Sequence, residues 1–387
     1  MRIGFSTGSC AALAAKAAAR MLLSRQPAAS EKITTPKGIV FESEILDAVF
    51  SQEEASCAVR KDGGDDPDVT TGLLVYATVS HRDGAGVEIR GGEGVGVVTR
   101  PGLDQPVGAA AINRVPRRQI EEAVREVMDI YGYDGGLTVV ISVPGGEKIA
   151  RGTFNLRLGI RGGISIIGTK GIVEPMSEEA LLATIRLSLL QRRSLGEETA
   201  LIAPGNYALA SLRRIYGVEE ERCVLCSNYI GRTLDMAREL GFSGIVVAGH
   251  IGKLVKLGMG IMNTHSREGD GRLETLAICA MEALEGSLGH ELVPGRLRAN
   301  TTEEALELLE QAGVREQVMK RLMERILSYL KRRVGDAIRV ECLIFSNMFG
   351  EVGGSDGAGE LLQEMTRWIR RENPGNEAVD HAGGSGK

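Results

Sequence analysis

The chain has 387 residues, 43% hydrophobic and 25% charged, a globular composition longer than one hydrophobic core usually serves, so two domains are expected. Its formal net charge of −5 argues against a nucleic-acid or anionic-membrane binder, each of which calls for a basic surplus. Six cysteines scattered over this length are the usage of a reducing compartment, and no uninterrupted run approaches about 18 apolar residues, so a cytoplasmic enzyme is expected.

In chain order, Thr7, Gly8 and Ser9 offer an N-cap to an alanine-rich helix over 10–24, whose free N–H groups would suit an anion. Lys16 and Arg20 interrupt this segment as a secretory leader. Glycine-bounded strands are expected at 38–49, 55–60, 73–80, 86–89 and 94–99, then a helix from Pro116 to Tyr131 and a strand at 137–143. Strands outnumber helices here without alternating with them, which makes 1–176 an α+β domain. Gly91-Gly92-Glu93-Gly94-Val95-Gly96 lacks the strand-before, helix-after setting of a dinucleotide fingerprint and reads as a bulged turn. Residues 164–167 read as a buried strand within another glycine-punctuated stretch.

One loop in this domain stands out. Residues 61–70 carry Asp62, Asp65, Asp66 and Asp68 on Gly63, Gly64 and Pro67. Two carboxylates about 6 Å apart repel by roughly 2–3 kcal/mol at an effective dielectric of about 20. Ordering four together calls for a cation, N–H donors or a positively charged ligand. The spacing misses the EF-hand pattern, because Gly64 stands where the second ligand belongs.

From residue 177 the pattern alternates: helix 177–191, strand 199–203, helix 207–216, strand 222–226, helix 229–240, strand 244–248, helix 252–262. Such alternation predicts a parallel sheet, so 177–372 is expected to be an α/β domain. Further helices are expected at 272–288, 301–312 (Thr301 with Glu304 forming a capping box) and 314–333, then a strand at 338–345. Residues 373–387 are polar, glycine-rich and expected to be disordered. Ligands of parallel sheets bind beyond the strands' carboxyl ends, which selects Gly205-Asn206, Ser227-Asn228 and Gly249-His250. Ser346-Asn347-Met348-Phe349-Gly350 echoes Ser227-Asn228-Tyr229-Ile230-Gly231 and suggests a fourth loop on the same rim. Cys223 and Cys226 fall in a strand, where positions three apart face opposite sides, so no metal site is expected from this C-x-x-C.

These segments resemble the CbiD-type cobalt-precorrin-5B C-1 methyltransferases of anaerobic cobalamin biosynthesis. The resemblance runs from Gly4 to about Gly359 and rests on Ser6-Thr7-Gly8-Ser9-Cys10-Ala11-Ala12, residues 61–70, 91–101 and 158–176, Pro204-Gly205-Asn206-Tyr207, Ser227-Asn228-Tyr229-Ile230-Gly231 and residues 249–266. Ser6, Leu156 and Ala208 stand where the family's threonine, proline and glycine are expected. It implies methyl transfer from S-adenosylmethionine to carbon 1 of a cobalt corrinoid, converting cobalt-precorrin-5B to cobalt-precorrin-6A, on a Rossmann-like second domain.

Under that resemblance Gly205, Asn206, Asn228 and Gly249 become cofactor-binding residues, Asn206 and Asn228 also being plausible helix caps. Arg157, Lys170, Lys253, Lys256 and Arg272 become donors to the corrinoid carboxylates. His250 is a proton-transfer or acetate-binding residue, with His265 beside the substrate; a structural histidine is equally in keeping with the pattern. A polyanionic substrate would be repelled by the acidic loop, which turns Asp65 and Asp66 toward the cofactor's positive groups or an internal scaffold. A non-catalytic tetrapyrrole carrier is the alternative function, and phosphoryl transfer lacks a P-loop. Homo-oligomerisation is left open.

Overall fold

The computed structural model describes residues 2–153, 155–156, 158–175, 177–284 and 299–372. The chain divides into two compact units, 1–178 and 179–387.

The first unit contains β1 (Gly4–Phe5), α1 (Thr7–Ser24), β2 (Ser30–Thr34), β3 (Val40–Glu44), β4 (Leu46–Phe50), β5 (Glu54–Arg60), β6 (Leu74–Arg82), β7 (Gly86–Gly91), β8 (Val97–Val98), α2 (Arg114–Tyr131), β9 (Gly136–Ser142), α3 (Gly146–Ala150), β10 (Ile160–Arg161) and β11 (Ile172–Val173). Its main sheet runs β4-β5-β6-β9-β7, antiparallel except for the β7–β9 pair. Alternation sends Val75, Ala77 and Val79 of β6 into a core shared with α1 and α2. Nearly every residue of α1 is buried, because its alanines let α2 and the sheet close on both sides.

Several expectations shift here. Helix α1 starts at Thr7 because Ser6, not the residues after it, is the N-cap, its hydroxyl accepting the Ser9 N–H at 3.2 Å. The anion site expected there is filled by the chain itself. Gly8 N–H donates to the Ile167 carbonyl at 3.0 Å, and Thr7 Oγ1 takes the Ile167 N–H, also at 3.0 Å. The 38–49 segment breaks into β3 and β4, Asp47 taking left-handed φ of 50°. Residues 164–167 form no strand: Ile164 and Ile166 make single bridges to Val95 and Ile112 before the chain turns at Gly168. The turn at 91–96 packs backbone on backbone. A Cβ on Gly94 would lie 1.9 Å from the Val143 carbonyl oxygen, and one on Gly163 would lie 2.1 Å from that of Gly94.

The second unit contains α4 (Glu178–Ser194), β12 (Thr199–Ala203), α5 (Tyr207–Tyr216), β13 (Val224–Leu225), α6 (Ile230–Glu239), β14 (Gly244–His250), α7 (Ile251–Leu254), α8 (Arg272–Ala283), α9 (Thr302–Gln311), α10 (Arg315–Val334), β15 (Arg339–Ser346), β16 (Gly350–Gly354) and α11 (Ala358–Glu372). Its sheet order is β13-β12-β14-β15-β16, parallel through β15, with β16 antiparallel at the edge. Both faces are covered. Ile245 and Val247 of β14 enter the core containing α6 and α10 residues, while Val246 and Ala248 enter the core containing α5 and α11 residues. Cys223 and Cys226 accordingly lie in these two different cores.

The helix expected at 252–262 is instead the short α7 and a 3-10 turn over Val255–Met259, ended by Gly260 at φ 77°. Strand β16 and helix α11 carry no expectation from the sequence. The expected tail at 373–387, and the end of the 272–288 helix beyond 284, lie outside the described residues.

Candidate active site at the carboxyl edge of the second sheet

The chain leaves β12 for β13 on one side, then returns across β12 to β14 and moves outward the other way. The order therefore reverses between β12 and β14, and the loops beyond their carboxyl ends flank a crevice suited to a ligand. Pro204-Gly205-Asn206 follows β12, and His250 ends β14.

Gly249 lets these two loops meet, since a Cβ there would contact Pro204 Cδ at 3.0 Å. Lys253 ties them by donating from Nζ to the Pro204 carbonyl at 2.8 Å, and its burial pushes the ammonium pKa below the ordinary lysine value. Gly205 is different: a Cβ there would meet nothing within 4 Å, so its main chain lies open. Asn206 is exposed and occupies the N-cap position of α5, but its side chain makes no cap hydrogen bond. Tyr207 begins α5, is 68% exposed, and places its ring 5.2 Å from that of His250.

His250 accepts the Gly252 N–H on Nδ1 at 3.1 Å, which leaves Nε2 to carry the proton and donate to Glu303 Oε1 at 2.9 Å. Both ring nitrogens are thus engaged. Glu303, in the first turn of α9, also accepts the Asn347 N–H at 3.0 Å and the Ser346 hydroxyl at 2.6 Å from the loop after β15. Burial opposes its charge, but these donors outweigh that cost and hold its carboxyl below the usual range.

At the β13 end, Ser227 adopts left-handed φ of 52°. Asn228 is fastened to the segment after Gly260, its carbonyl accepting Thr264 N–H at 2.9 Å and its Oδ1 the Thr264 hydroxyl at 3.3 Å. Asn228 therefore makes a tertiary contact, and Tyr229 holds the N-cap position of α6.

The remaining expected residues separate. Lys256 is 3% exposed, and its ammonium donates to the carbonyls of Thr264 at 3.2 Å and Gly269 at 2.9 Å, so it holds its own loop instead of meeting a carboxylate from solution. Arg272 forks onto Asp270, with Nη2 2.9 Å from Oδ2, which offsets its charge. His265 Nδ1 accepts the Arg267 N–H at 3.1 Å and closes an exposed turn. Lys170 lies in the first unit and pairs with Glu174 at 3.3 Å. Arg157 lies outside the described residues.

The acidic loop also lies in the first unit and is satisfied internally. Asp65 Oδ2 accepts the Arg2 N–H at 2.6 Å, Asp62 pairs with the Arg2 guanidinium, and Asp66 N–H closes the turn onto Gly63 O at 3.4 Å. Asp68 binds the buried Lys61 ammonium at 2.6 Å and the Thr70 hydroxyl at 2.7 Å. The carboxylates of Asp62, Asp65 and Asp68 thus take donors from their own unit, in keeping with the scaffold expectation for this loop.

Glu303 was not foreseen as a site residue. The Thr301–Glu304 capping box places it in a first helical turn, and the cap does form, Glu304 N–H donating to Thr301 Oγ1 at 3.2 Å. Local pattern carries no information that this helix start meets the ends of β14 and β15.

Comparison with known proteins agrees with this chain over almost its whole length. Residues 1–175 match the family described as CbiD, and residues 263–356 match the CbiD C-terminal domain. A cobalt-precorrin-5B C(1)-methyltransferase of Ruminiclostridium cellulolyticum is 42% identical over 372 residues, 95% of this chain and 96% of that protein. One from Thermoanaerobacter sp. is 44% identical over 364 residues, 94% and 97% of the two chains. A crystal structure of the cobalamin biosynthesis protein cbiD from Archaeoglobus fulgidus aligns at 29% identity over 65% of this chain and 78% of that one, with a TM-score of 0.37. With relatives this similar over nearly its full length, the chain belongs to the CbiD family.

Proposed function

We propose that this chain is a cobalt-precorrin-5B C(1)-methyltransferase that uses S-adenosylmethionine as methyl donor in the cytoplasm. The observation that carries the reading is 42–44% identity, over 94–95% of the chain, to relatives bearing that name. Four parallel strands covered on both faces, with the order reversing between β12 and β14, support treating the second unit as a Rossmann-like domain. We assign the domains as 1–176 and 177–372.

The donor supplies an electrophilic methyl on a positively charged sulfur, so the protein's task is to bring the nucleophilic carbon into line with it. The open main chain at Gly205 and Asn206 supports close approach of the donor there. Gly249 allows the Pro204 loop to sit against β14, and Asn228 retains an amide N–H₂ beyond its contacts with Thr264. Lys253 keeps two N–H donors beyond its bond to Pro204, and we assign it to a substrate carboxylate. With both nitrogens engaged, His250 orients the rim rather than carrying a proton. Tyr207 offers an exposed ring at the mouth.

Incubating the purified protein with S-adenosylmethionine and cobalt-precorrin-5B, followed by mass spectrometry, is expected to show one added methyl group on the corrinoid. Corrinoid binding without cofactor binding or mass gain would establish the carrier function instead.

A further inference from the structure

Glu303 sits inside the Thr301–Glu304 capping box but is not one of its capping residues, and its carboxylate joins the ends of β14 and β15. Its four partners are divided evenly. Oε1 takes His250 Nε2–H at 2.9 Å and Asn347 N–H at 3.0 Å, while Oε2 takes the Ser346 hydroxyl at 2.6 Å and Met348 N–H at 3.4 Å. A carboxylate offers about four acceptor positions and no donor, so these four donors match its capacity. An acid in a first helical turn ordinarily serves its own helix. Here all four donors come from the ends of β14 and β15, and none from α9.

We propose that Glu303 is a positioning residue for the methyl transfer, clasping the loops after β14 and β15 so that His250 is presented in one tautomer and one orientation. The catalytic part of this inference rests on the function proposed above; the clasp itself does not. Glu303 grips His250 from the β15 side of β14, and none of its four donors comes from the Gly205-Asn206 loop after β12, although the His250 ring also lies 5.2 Å from that of Tyr207. The main effect of losing the clasp should therefore fall on the corrinoid step, with the main chain at Gly205 left in place.

Glu303→Gln keeps the shape but turns an amide N–H₂ toward two donors, and Glu303→Ala removes all four acceptor positions. Each is expected to lower kcat/KM for the corrinoid by about 10²-fold, the scale of a misplacement near 1 Å. Calorimetric affinity for S-adenosylhomocysteine should stay within about twofold. In a ¹H–¹⁵N spectrum, the wild-type protein should show a hydrogen-bonded His250 Nε2–H resonance, assigned by its loss in His250→Gln and absent from Glu303→Ala. Should Glu303→Ala not fold, Ser346→Ala removes one donor and should cost about tenfold in kcat/KM with the resonance retained. A resonance that persists in Glu303→Ala, kcat/KM unchanged, or a parallel fall in cofactor affinity would overturn the positioning role. A wild-type enzyme that does not methylate the corrinoid would refute the proposed function, leaving the resonance to test the clasp alone.

Discussion

The two units close their interiors by different means. In the first, α1 presents alanines and the 91–96 turn presents glycines, so main chain packs against main chain, as at Gly94 against Val143 and Gly163. In the second, branched residues alternate to either face of β14, and side chains fill the space between sheet and helices. Gly94 and Gly205 show two different uses of a glycine. Gly94 is required by what a Cβ would strike, whereas a Cβ on Gly205 would meet nothing within 4 Å, so its small size bears on what approaches from outside.

Substitution by alanine breaks this comparison most directly at Gly94. The residue combines φ of 70° with a carbonyl oxygen 1.9 Å from the would-be Cβ. Gly94→Ala should therefore cost about 3 kcal/mol or more of first-unit stability, measured by denaturant unfolding. Asp68→Asn comes next, since it leaves the buried Lys61 ammonium without its charge partner. Breaking a fully buried pair costs roughly 3–5 kcal/mol, but Asp68 is partly exposed, so about 2 kcal/mol is expected. Burial opposes the Asp68 charge, but Lys61 and Thr70 outweigh it and set the folded pKa below the unfolded one. The stabilisation is accordingly present above the unfolded carboxylate value, near pH 4, and lost as pH falls through the folded one. Unfolding of Asp68→Asn should show a shallower acid dependence than wild type; an identical slope would place the acid sensitivity elsewhere. Gly205→Ala should have the smallest effect on stability, within about 0.5 kcal/mol, because its site is open. The same variant should weaken S-adenosylhomocysteine binding about tenfold by calorimetry. Unchanged affinity would remove Gly205 from the cofactor surface.

The strands of the second unit were legible because β12 and β14 are short, nearly uninterrupted apolar runs, as strands buried on both faces require. Strand β12 occupies the expected residues 199–203, and α5 the expected 207–216. Residues 164–167 misled because an apolar run reads as a strand, while here Ile164 and Ile166 fill a core between glycine turns without a continuous partner. The rim was readable as a set of strand ends, but the use of each side chain on it was not. Lys253 and Lys256 are three residues apart and look alike in the sequence, yet one keeps donors near the crevice while the other is buried on two carbonyls. Glu303 lay beyond reach for the same reason, since its role depends on contacts more than 40 residues away on either side.

The pairing of Gly4 and Phe5 with Val173 and Ile172 joins the beginning of the first unit to its end. Helix α1 follows β1 directly and has almost no solvent-facing side, so it cannot hide its surface until the later strands exist. Closing this unit therefore requires contacts between residues 160 or more positions apart in the sequence, and contacts so distant along the chain form slowly.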